Sequence, residues 1–75
     1  MKTLPIMKLL QASDMGMAFA RNPKQALIDA VELVEASTEV SDKDKQSFRA
    51  AVLTGPMNKR YSAFATYYTG MKSNF

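Results

Sequence analysis

The spacing of apolar residues predicts an all-α fold. The expected architecture is one domain, a small bundle of three main helices preceded by an N-terminal arm that is either helical or irregular. Three observations carry this. A wide apolar face repeats at helical period from Asn22 to Ser37. Cap and stop residues bracket a second segment from Ser41 to Gly55. A narrow stripe of large residues runs from Met57 to Met71.

The segment from Asn22 to Ser37 organises the rest. Asn22 offers a side-chain oxygen as cap, Pro23 suits the first helical position, and Gln25 stands where a capping-box partner reaches back. At 100° per residue, Ala26, Leu27, Ala30, Val31, Leu33 and Val34 share an arc of about 160°. Asp29, Glu32 and Glu35 take the other side. So wide an apolar face needs neighbours on more than one flank, which makes this the central helix.

The arm begins with Thr3 and Pro5, which suit the start of a helix from Ile6 to about Ala12. Ser13-Asp14 then either continues it or caps a second short helix through Arg21. Unbroken, one helix gathers Ile6, Leu9, Leu10, Met17 and Ala20 on one face and leaves Leu4, Met15 and Phe19 elsewhere. A break near Ser13 brings both sets to the core, and Gly16 favours the break. Lys2, the Leu4–Met7 run and Ala18-Phe19-Ala20 faintly imitate a signal peptide. Lys8 and Asp14 interrupt the run, however, and it is too short to span a bilayer, so it reads as structure.

Beyond the central helix, Thr38-Glu39-Val40 forms a short connection. Ser41 caps the next helix, with Asp42 and Asp44 in its first turn against the helix dipole. Phe48, Ala51 and Val52 make its inner stripe, with Leu53 beside it, and Gly55-Pro56 stops it. In the last helix Met57, Tyr61, Phe64, Tyr68 and Met71 recur at intervals of four and three, and Gly70 ends the helix. The expected core is therefore Leu27, Val31, Val34, Phe48, Val52, Tyr61, Phe64 and Tyr68.

Composition removes most chemistry. With 75 residues and no cysteine or histidine, the chain lacks disulfides, thiolate metal ligands and the commonest general base. The expectation is a non-enzymatic protein with no cofactor, no metal, no small-molecule substrate and no membrane span, in a reducing cytoplasm. The Tyr68–Lys72 spacing imitates a dehydrogenase pair but lacks the dinucleotide-binding sheet such a pair serves. Asp42-Lys43-Asp44 imitates a calcium loop without its glycine or final glutamate. Asp29, Glu32 and Glu35 read as a solvated acidic face. Six methionines read as gap-fillers in a small core.

Net charge is +3, and its distribution is more informative. Every acidic residue lies between Asp14 and Asp44, while Arg49, Lys59, Arg60 and Lys72 stand in a C-terminal third with no acid. Such polarity suits self-association, an acidic protein partner or nucleic acid.

Two sets of binding residues follow. Ile28 lies on the acidic side of the central helix, where a large aliphatic is either covered by another helix or contacts a partner. Arg60, Ala63 and Tyr67 share a flank of the last helix, and arginine and tyrosine are the types that anchor interfaces or pair as cation and π-system. Ile28, Arg60, Ala63 and Tyr67 are thus the candidate protein-binding residues. The alternative is a helix-turn-helix. Ala51, Gly55, Tyr61 and Phe64 match its spacing, and Asn58, Lys59, Arg60 and Ser62 would meet DNA. Thr54 and Pro56 depart from that pattern.

Overall fold

The computed structural model describes residues 4–70, and every regular element among them is helical. The elements are α1 (Leu4–Ala12), α2 (Met15–Arg21), α3 (Pro23–Ala36), α4 (Asp42–Leu53) and α5 (Met57–Thr69). The all-α expectation holds. Among the described residues there are five helices: the three main ones, and an arm that takes the broken alternative as two helices meeting near Ser13. Ile6 and Leu10 of α1 are wholly buried, so the N-terminal region is part of the core rather than an appendage. The roles expected of Thr3, Met71 and Lys72 lie outside the described residues.

The break between α1 and α2 turns on Asp14, whose φ of 57° and ψ of 39° place it in the left-handed region. Aspartate tolerates that conformation better than most residues. Its amide donates back to Gln11 O at 3.2 Å, and its carbonyl accepts from Met17 N at 3.2 Å, so one residue closes α1 and opens α2. The reversal buries Met15 and turns Met17 outward, to 54% exposure.

Asn22 performs a similar double service. Its amide donates to Ala18 O at 3.0 Å to close α2, and its Oδ1 accepts from Gln25 N at 3.3 Å to cap α3. The reciprocal half of the capping box does not form. Gln25 Nε2 donates instead to Asp29 Oδ1, one turn along, at 3.0 Å. Ser41 Oγ accepts from Asp44 N at 3.2 Å as the cap of α4.

α3 packs against all four other helices and buries Ala26, Leu27, Ala30, Val31 and Val34. Phe48 and Val52 of α4, Phe64 of α5 and Val40 from the connection complete the centre. Val40 is 4% exposed although it sits in a loop, since the chain must cross the end of α3 to bring α4 alongside.

Tyr61 and Tyr68 depart from the expected core, each being half-buried. Both belong to an aromatic group at its edge, which leaves the polar end of each ring near solvent. Phe19 of α2 stacks on Phe64 with centroids 4.8 Å apart and planes 7° apart. Tyr61 meets Phe19 edge-on at 5.5 Å, and Phe64 stacks on Tyr68 at 6.0 Å. Gln11 Nε2 donates to Tyr68 O at 2.8 Å and ties α1 to the end of α5.

Gly16 lies under this group, where a Cβ would come within 2.7 Å of Tyr68 Oη. The tyrosine thus favours a small residue here, at the second position of α2.

Two stability predictions follow from the packing. Phe64→Ala removes the ring shared by the core and the aromatic group, and should cost about 3–5 kcal/mol in chemical denaturation. Gly16→Ala should destabilise the parent, and the loss should shrink by about 0.5–3 kcal/mol in a Tyr68→Phe background. Additivity of the two changes would mean that the hydroxyl has room to move aside.

Candidate functional site

Of the four candidate protein-binding residues, two come together. A groove of about 330 Å³ lies between α3 and the α4–α5 turn. Leu27 and Val52, both buried, contribute its apolar base, and half-buried Leu53 and Met57 add apolar wall. Ile28 stands in it with 45% of its surface exposed. Lys24 and Arg60 complete the lining, so both of its charged groups are cations.

Local sequence explains how these groups converge. Lys24, Leu27 and Ile28 are neighbours at intervals of three and four on α3. Gly55 allows the tight exit from α4, with φ at 91°, and Pro56 starts α5 so that Arg60 falls in its first turn. Arg60 Nε then donates to Gly55 O, a carbonyl of the α4–α5 turn, at 2.8 Å. That bond fixes the stem of Arg60 beside the groove and leaves its terminal nitrogens available.

Ala63 and Tyr67 lie outside this groove. Both are half-buried and pack on the core, with Tyr67 meeting Phe48 of α4 edge-on at 4.9 Å. Tyr67 lies seven residues from Arg60, about 10 Å along the axis. Arg60 reaches in the opposite direction, toward Gly55, so the two do not form a cation–π pair. The stripe from Met57 to Met71 thus leaves out a residue that α4–α5 packing uses. The missing signal was Phe48, whose ring needs a partner across the helix pair.

Burial raises the Tyr67 phenol above its ordinary pKa near 10, and the Asp44 carboxylate adds to the effect.

Asn58 and Lys59 are exposed at the start of α5, while Arg60 and Ser62 are half-buried. At 100° per residue Arg60 and Ser62 point about 160° apart. The four residues of the helix-turn-helix alternative therefore do not share one face. Ser62 O also accepts the Thr66 hydroxyl at 3.0 Å.

The acidic face of α3 is partly engaged. Glu35 pairs with Arg49 of α4 at 3.5 Å, and Asp29 accepts from Gln25. Glu32 is exposed and carries no ion pair among the described residues. Met17 was missed as a surface residue, because its outward position depends on the Asp14 reversal. It lines a second cleft, about 390 Å³, between α2 and α3, together with Asp14, Arg21 and Asp29. That cleft mixes both charge signs, whereas the groove at Ile28 has one.

Among the described residues, no helix is long and apolar enough to cross a membrane. Comparison with protein-family models, with curated proteins and with solved structures finds no match to this chain.

The raised phenol gives a pH prediction. The fold favours neutral Tyr67, so the residue contributes stability that is complete below about pH 10. That contribution is lost as pH climbs through the raised folded value. Thermal melts between about pH 9 and pH 11.5 should fall more steeply for the parent than for Tyr67→Phe. Parallel curves would refute the assignment.

Proposed function

We propose that this chain is a non-enzymatic protein-interaction module, an adaptor, inhibitor or assembly component, whose contact surface is the groove holding Ile28 and Arg60. The carrying observation is the convergence of an exposed aliphatic on α3 with an apolar groove that has two cations and no carboxylate in its lining. An apolar base with a polar rim of one sign is the anatomy of a small docking site. Its complement is a helix presenting one large aliphatic with a carboxylate a turn away. The aliphatic supplies the affinity, because exposed ion pairs contribute only about 0–1 kcal/mol each; Lys24 and Arg60 select the sign of the partner.

A sequence without histidine or cysteine supports the non-enzymatic reading and a reducing, cytoplasmic setting. A nucleic-acid role has less support, since Lys59 and Arg60 diverge around α5 instead of forming a stripe.

The test is an NMR titration with a helical peptide carrying leucine flanked at four residues on each side by glutamate. The expected shifts fall on Ile28, Leu53 and Met57. Replacing the peptide glutamates by lysine should weaken binding roughly fivefold or more, and Arg60→Glu should remove the preference. No shifts in the groove would defeat the proposal. Salt-sensitive binding to a DNA duplex, lost in Lys59→Ala and Arg60→Ala, would favour the nucleic-acid role instead.

A further inference from the structure

The groove's partner can be specified from α3 itself. Lys24, Ile28 and Glu32 stand at intervals of four and form one row along the exposed edge of the helix. Lys24 and Glu32 are both exposed, and neither has an ion pair among the described residues, where Arg49–Glu35 is the ion pair formed. The row is antisymmetric in charge about Ile28: a cation one turn before it and an anion one turn after it, each about 6 Å away along the axis.

A row of this kind is complementary to itself when reversed. Around a two-fold axis at Ile28, a second copy of α3 running antiparallel sets Ile28 against Ile28. Each Lys24 then faces the Glu32 of the other copy, and the two glutamates stay about 12 Å apart along the axis. The incoming helix presents an aliphatic residue with a carboxylate one turn away, the chemistry that the groove with Lys24 and Arg60 selects. We infer that this protein self-associates as a two-fold dimer through the exposed edge of α3, with Ile28 at the axis and two reciprocal Lys24–Glu32 pairs flanking it. This rests on the docking role given to the groove. It adds the identity of the occupant.

Sedimentation velocity on the full chain, from about 1 µM to about 1 mM, spans the affinities of small interfaces. The parent should move from monomer toward dimer across that range. Lys24→Glu alone and Glu32→Lys alone should each weaken the dimer roughly tenfold or more, since each sets like charges opposite one another twice. Both positions are exposed, and circular dichroism would check that each variant remains helical. An equimolar mixture of the two variants should recover the dimer, because every introduced charge then meets its opposite. Both changes carried on one chain should recover it too. A parent that remains monomeric at 1 mM, or a mixture no better than its components, overturns the dimer. If the acidic peptide still shifts Leu53 and Met57 in that case, the docking groove stands with another occupant. If the peptide also fails, both readings fall.

Discussion

The structure depends on the burial of one face of α3. Five of its side chains are withdrawn from water, and the helix touches every other helix. At roughly 1.5–3 kcal/mol for each large aliphatic buried, Leu27, Val31 and Val34 supply much of what holds so small a domain. A face this wide has no single-helix solution. α2 and α4 make its most extensive contacts, and α1 and α5 pack against it as well. The chain reversals at Asp14, Asn22 and Gly55 serve that requirement, and two of them use a residue that closes one helix while opening the next.

The same constraint creates the surface on which function is proposed. Covering the apolar arc of α3 leaves its edge exposed at Ile28, beside the α4–α5 turn. The first turn of α5 brings Arg60 to that gap, anchored on the Gly55 carbonyl. The aromatic residues are used elsewhere. Phe19, Phe64 and Tyr68 stack between α2 and α5, and Tyr67 braces α5 against Phe48. In this chain aromatics fix helix orientation, and the groove is left to aliphatic and cationic side chains.

Much of the fold was legible residue by residue. The starts of α3, α4 and α5 follow from Asn22-Pro23, from Ser41 and from the Gly55-Pro56 pair, where Asn22 and Ser41 cap with their side chains and Gly55 takes a positive φ. The exposure of Ile28 was legible too, since it follows from helical angle alone. The pairing of Ile28 with Arg60 was not, because 32 residues separate them and nothing local to either encodes the approach.

What the sequence determined by itself was therefore local and periodic: helical class, caps, stops, and which face of α3 turns inward. These depend on interactions within about four residues, where composition and spacing are sufficient. Only the tertiary structure decided that the N-terminal arm is two core helices, that Val40 is buried in a loop, and that Tyr67 belongs to packing. It also decided that Ile28 and Arg60 share a groove. Each of these depends on which helix occupies the space opposite, and that choice is made by fitting all the apolar faces together at once.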